Sequence, residues 1–245
     1  MDTIDFITTL RREGTMLADA AGNAGLDAPV PPCPEWRVRD LLTHTGAVHR
    51  WATSFVVDGH RSRQPMREEA PDGVDLLDWY RKSHGRLTDA LTSAPADLDC
   101  WYFLPAPSPR AFWARRQAHE TTIHRVDAEA AVGAAPGPID SAFAADGVDE
   151  LLAGFQVRRS GKVRTERPSS LRVRTLDVPG GDWLMRLSAA APVTERGGGG
   201  EADCTVSGPA VDVYLALWNR APFDGLTVAG DDSLVELWRR SSGVN

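Results

Sequence analysis

The stretch RAFWARRQAHETTIHRVDAEAAV, residues 110–132, reads as one long helix that stops at Gly133. Helical residues advance about 100° each, so residues four and seven apart share a face. That places Glu120, His124 and Asp127 on one stripe with Arg116, Trp113 and Ala131. Trp113, Ile123 and Ala131 indicate that the stripe faces inward. Buried charge needs a compensating partner, and a bound cation is one of the few adequate ones. A carboxylate and an imidazole four apart can hold one metal ion from a single helix, although such a pair also occurs as a surface ion pair. His119, five before His124, turns away from that face and reads as a packed or partly exposed histidine.

Outward from this helix, the first part of the chain is helical. Apolar residues recur at helical spacing from Asp2 to about Gly22, from Val38 to about Phe55, from about Leu76 to Leu91 and from about Asp140 to Gln156. Pro31, Pro32 and Pro34 separate the first two segments, and Pro105, Pro107 and Pro109 precede the fourth. Short links between long amphipathic helices predict an up-down four-helix bundle. The period changes after Val157. Residues 171–178 alternate as a half-buried strand, Pro179 to Asp182 is turn chemistry, and Trp183 to Leu187 returns. Cys204 to Val206 and Leu226 to Val228 read as extended, Val211 to Trp218 and Ser233 to Trp238 as helical. The expected architecture is α+β: a helical bundle over 1–157 and a small α+β domain over 158–245.

Composition narrows the function. The formal net charge is -7, which argues against a nucleic-acid binder, since such proteins usually carry a basic face to meet the phosphates. The start of the chain has neither a basic nor an apolar leader region, and no run is apolar enough to span a bilayer. Cys33, Cys100 and Cys204 are few, odd in number and without CxxC spacing. They fit reduced thiols in a cytoplasm, not a disulfide framework or a thiolate zinc knuckle.

A metal site on the fourth helix needs a third ligand from elsewhere. The second helix offers His44, on the side of Val48, Trp51 and Phe55, and His49, toward the opposite edge. His84 on the third helix is a weaker option, and periodicity does not choose among them. Trp36 reads as an anchor where the chain enters the second helix. Asp127 reads either as a partner that orients a ligand or as a catalytic acid or base.

Two motifs carry a resemblance. PCPEWRVRDLLTH, residues 32–44, resembles the "PCPxWxVxDLxxH" opening of the mycothiol-dependent maleylpyruvate isomerase family, and ETTIHRVD, residues 120–127, resembles its "ExxxHRxD" segment. Residues 203–238, with LWNR at 217–220, look like the small C-terminal domain of that family. The resemblance implies a DinB-like bundle with His44, Glu120 and His124 binding a divalent metal, usually zinc, and so selects His44 over His49. It implies functional roles for Asp127 and for Arg220, the latter otherwise a helix cap. It implies mycothiol as thiol cosubstrate and a small-molecule electrophile as its partner, in a monomer or homodimer. The arginine-rich composition, with lysine only at 82 and 162, agrees with an actinobacterial source, where mycothiol is the main small thiol.

Two imidazoles and one carboxylate leave coordination positions open, as in catalytic zinc sites. A thiol activated there can add to an electron-poor alkene. Rotation and elimination then give cis–trans isomerisation, and retention of the adduct gives thiol S-transfer. Arg220 would hold a substrate carboxylate or a polar part of the thiol, in an active site expected between the two domains. The rival readings are a DinB-like metal enzyme using another thiol or water as a hydrolase, and a non-catalytic ligand-binding protein.

Overall fold

The computed structural model describes residues 1–67, 69–70 and 75–243. The chain forms two compact units, Met1–Gly137 and Pro138–Asn245.

The first unit is a bundle of α1 (Thr3–Ala24), α2 (Val38–Asp58), α3 (Asp75–Ser93) and α4 (Pro109–Val132). The ends follow local chemistry. Asp2 caps α1 by accepting from the amides of Ile4 and Asp5, and Ser108 caps α4 just before Pro109. Gly59 and Gly133 close α2 and α4 in the left-handed conformation, which costs a glycine little.

Side-chain pairs give the helix directions. Phe6 meets His119 and Glu13 meets Arg125, so α1 and α4 run parallel. Leu10 meets His84 and Gly14 meets Tyr80, so α3 opposes α1. His44 meets His124 and Phe55 meets Trp113, so α2 opposes α4. The bundle is the one the sequence indicates, but its helices run up, down, down, up and do not simply alternate. The chain between α2 and α3, residues 59–74, is long enough at ~3.3 Å per residue to return along a helix rising ~1.5 Å per residue.

The core shows why α4 carries the chemistry. It packs against α1 and α2 and is buried on nearly every side from Phe112 to Ala128. Polar groups on such a helix must find partners inside the bundle. Close approach elsewhere uses glycine. A Cβ on Gly14 would lie 2.2 Å from His84 Nε2, and one on Gly46 would lie 2.1 Å from the Trp79 ring.

The second unit opens with α5 (Ser141–Asp149), capped by Asp140 and continued by a π-helical turn, Glu150–Phe155. A five-stranded sheet follows in the order β3-β2-β1-β4-β5. Its strands are β1 (Ser169–Thr175), β2 (Asp182–Leu187), β3 (Val193–Arg196), β4 (Cys204–Gly208) and β5 (Thr227–Gly230). Only β1 and β4 pair in parallel, with Val173 opposite Val206. Helices α6 (Ala210–Leu217) and α7 (Ser233–Ser241) complete the unit around buried Trp183, Tyr214 and Trp238.

The division between units falls earlier than the sequence reading near 157. α5 packs on α6, the π-helical turn packs on β3, and Asp149 accepts from both Trp183 Nε1 and Arg196. β3 has no counterpart in the sequence reading, because it is a four-residue edge strand with largely exposed side chains. No disulfide joins the three cysteines. No helix among the described residues is long and apolar enough to cross a membrane.

Candidate metal centre

α4 supplies Glu120 and His124 from one turn, and the antiparallel α2 brings His44 against them. The Nε2 atoms of both histidines converge on one carboxylate oxygen. Glu120 Oε1 lies 3.4 Å from His44 and 3.3 Å from His124. One potential ligand atom from each of the three residues falls within 4.8 Å of the others. The other oxygen, Oε2, accepts from Arg116 Nη2 at 3.1 Å, so the stripe partner read from the sequence sets the carboxylate's rotation.

Behind His124 stands Asp127, whose Oδ2 lies 2.9 Å from Nδ1. With Nδ1–H donating there, Nε2 faces the cluster, where it carries a proton toward Glu120 or, once that proton is displaced, offers its lone pair to a cation. Asp127 is fully buried, whereas the side chains of His44 and Glu120 keep 27% and 22% of their surface exposed. The donor set is therefore open on one side and backed by protein on the other.

The electrostatics favour positive charge. Burial alone lowers the pKa of His124, but its bonds to Asp127 and Glu120 outweigh burial and push it up to about 9. Burial alone raises the Glu120 carboxyl, but His124, His44 and Arg116 hold it well below the usual carboxylate range. A proton satisfies the pair when no other cation does, and a divalent ion bound by two imidazoles and a carboxylate answers the same demand. The residues present fit such an ion.

The other sequence candidates fall elsewhere. His49 is fully buried in the bundle, its Nε2 lies 2.8 Å from Thr121 Oγ1, and its ring packs on Tyr80 and His84. His84 Nε2 bonds the Leu10 carbonyl at 3.0 Å. His119 is fully buried, edge-on to Phe6. Arg220, in the second unit, donates through Nη1 to the Trp218 carbonyl at 2.8 Å, at the end of α6. Two neighbours of the cluster come from the loop before α2. The indole of Trp36 lies against both His44 and His124, and Cys33 Sγ lies 3.9 Å from Asp127 Oδ2. Helical periodicity says nothing about a residue outside the helices, so from the sequence Trp36 reads only as an anchor.

Fold and site together define a class: a four-helix bundle with an inward His–Glu–His donor set, joined to a small α+β unit. Residues 7–129 match the mycothiol maleylpyruvate isomerase N-terminal domain, and residues 142–237 match the MDMPI C-terminal domain. The chain belongs to the mycothiol maleylpyruvate isomerase family.

Solved structures agree on the fold. A histidine-to-alanine mutant of the mycothiol-dependent maleylpyruvate isomerase is similar, with a TM-score of 0.63, 17% identity, and coverage of 94% of this chain and 93% of that one. Another structure of the mycothiol-dependent maleylpyruvate isomerase gives a TM-score of 0.60 at 16% identity, with coverage of 94% and 93%. The comparison with curated proteins gave no match.

Proposed function

We propose that this chain is a metal- and mycothiol-dependent enzyme that adds a thiol to an electron-poor small molecule and completes a cis–trans isomerisation. The convergence of His44, Glu120 and His124 on a partly open cluster carries this reading, together with membership of the family. A divalent ion there, zinc by the ligand set, supplies a Lewis acid that makes a thiolate available at neutral pH.

The chain's own residues do the rest. His44, Glu120 and His124 hold the ion, Arg116 orients Glu120, and Asp127 sets the tautomer of His124. Because Asp127 is fully buried and bonded to Nδ1, it acts through His124 as a positioning residue. In the reaction the thiol loses its proton and a carbon–sulfur bond forms at one alkene carbon. The former double bond rotates, the carbon–sulfur bond breaks, and the thiol is returned. If the adduct is kept and protonated at carbon, the same first step makes the protein a thiol S-transferase.

Turnover of a maleylpyruvate-type cis-alkene, followed with product identification, tests this. Activity should require both mycothiol and metal, vanish on chelation and return on adding Zn²⁺. Undiminished turnover by the chelated protein, or without any thiol, would overturn the proposal, and a hydrolysis product formed without thiol would favour a hydrolase.

Arg220 is proposed to bind a carboxylate of the substrate or a polar part of the thiol, a role that rests on the family resemblance. Arg220→Lys keeps the charge and loses the planar fork. It should lower kcat/KM by roughly tenfold or more, about the worth of a charge-assisted hydrogen bond. Metal content and Tm should be nearly unchanged. Unaltered kcat/KM with a small drop in Tm would reduce Arg220 to a cap of α6.

A further inference from the structure

The two histidines of the cluster are held in different ways. His124 has a bond on each ring nitrogen, Nδ1 to Asp127 at 2.9 Å and Nε2 to Glu120 at 3.3 Å. His44 has only the contact of Nε2 with Glu120 at 3.4 Å, and no protein group among the described residues bonds its Nδ1. Histidines that bind metals nearly always anchor the second nitrogen, because the ring torsion is otherwise broad and soft. His44 is thus a candidate ligand without the usual anchor.

What lies against it is Trp36. The indole centroid is 5.0 Å from the His44 ring at 48°, and 5.8 Å from the His124 ring at 29°, close to stacked. The two imidazoles meet edge-on at 5.2 Å and 76°. Three rings therefore pack on one another at the cluster, and Trp36 is the member that touches both histidines.

The backbone holds this indole in place. Trp36 N donates to the Cys33 carbonyl at 2.7 Å, and Val30 N donates to the Trp36 carbonyl at 3.0 Å. An isolated β-bridge pairs Pro29 with Arg37, and the Arg37 side chain donates to the Asp27 carbonyl at 2.6 Å. Cys33, on the same loop, reaches Asp127, so the loop touches the support of His124 as well. Trp36 also packs on the apolar cluster built around Leu17, Val38 and Leu41.

We infer that Trp36 is a positioning residue of the cluster: its indole, packed on the His44 ring where no protein group among the described residues bonds Nδ1, holds that ring with Nε2 toward Glu120. The inference rests on the metal reading, but its consequences for the ring do not. In the metal-free protein, His44 should show a single set of sharp ring resonances. Trp36→Leu fills the apolar pocket without an aromatic face. In that variant the His44 resonances should broaden or average, while those of His124, anchored by Asp127, stay sharp.

With Co²⁺ as the probe ion, Trp36→Leu should bind roughly tenfold more weakly, the scale of losing a partner that orients a ligand. The visible spectrum of the bound ion should change. Trp36→Phe, which restores an aromatic face, should recover most of the affinity and the spectrum. Tm for each variant separates loss of order at the site from loss of fold.

If wild type binds no Co²⁺, the metal reading fails, and the ring resonances still decide the role of Trp36. Co²⁺ affinity and His44 line shapes in Trp36→Leu equal to wild type would overturn the inference and leave the metal reading standing. Equal losses in Trp36→Phe and Trp36→Leu would likewise overturn it, by showing that indole volume is what matters.

Discussion

His44→Ala should purify with little divalent metal, whereas His49→Ala should retain about one equivalent per chain. The two substitutions remove the same side chain from one helix, five residues apart, and the structure gives them opposite surroundings. His44 sits at the partly open cluster with Nε2 facing Glu120. Its loss removes one of three protein donors and should weaken binding by more than the 10–100-fold that a supporting partner contributes. Because 27% of its side chain is exposed, the cost to folding should be small.

His49 is fully buried and bonded to Thr121. His49→Ala leaves a cavity and a buried hydroxyl without this partner, which should cost about 2–4 kcal/mol. The sign of its pH dependence can be checked as well. Burial, reinforced by His84, holds the His49 pKa well below its ordinary 6.5. As pH falls through about 6.5, the unfolded chain takes a proton that the folded chain refuses, so wild-type stability declines. His49→Ala should flatten part of that decline, with His84, whose pKa burial also lowers, supplying more of the remainder. Metal retained by His44→Ala and lost by His49→Ala would move the third donor to His49.

That contrast marks where the sequence stops being informative. Helix positions, the stop at Gly133 and the change of period near residue 157 follow from local pattern, and so does the stripe of Arg116, Glu120, His124 and Asp127. The choice between His44 and His49 does not. α2 packs on α3 with one side and on α4 with another, so its apolar stripe is broad: His49 lies fully inside it and His44 at its partly open margin, a difference that spacing along one helix does not show. Only the motif resemblance chose between them. The indole of Trp36 was illegible for another reason: it reaches α4 across 88 positions of sequence, and its loop has no periodicity. The π-helical turn at Glu150–Phe155 was also hidden, since its residues fit an ordinary α-helix as well. The direction of the third helix rests on contacts such as Leu10 with His84 and Gly14 with Tyr80, which composition does not encode.

Glu13 is the clearest residue that pattern alone passes over, and Glu13→Ala should be strongly destabilising. In sequence it is one more charge on α1, beside Arg11 and Arg12. In the fold it is 1% exposed and faces Arg125, which is fully buried on α4. Glu13 Oε2 accepts from Arg125 Nε at 2.8 Å, and Oε1 pairs with Arg12 at 2.9 Å. Arg125 reaches Glu129 through Nη1 at 2.7 Å, but its Nη2 is buried without a bond. Glu13 therefore supplies one of the two carboxylates that face an inescapable charge, and the guanidinium has no spare contact to draw on. Removing one partner of a buried pair costs about 3–5 kcal/mol, mostly because the remaining charge is left uncompensated. Against a typical stability of about 5–15 kcal/mol, that brings the unit close to unfolding at 37 °C. The double change Glu13→Leu with Arg125→Met removes the buried pair and fills the space, and should recover part of the loss, since Glu129 then keeps only the Gly137 amide as a partner among the described residues. Urea melts of wild type, Glu13→Leu, Arg125→Met and the double variant close the cycle, with Glu13→Ala measured beside them. A double variant as unstable as Glu13→Ala would show that shape at this contact matters more than charge. A Glu13→Ala variant with wild-type stability would mean that Glu129 alone suffices to keep Arg125 inside.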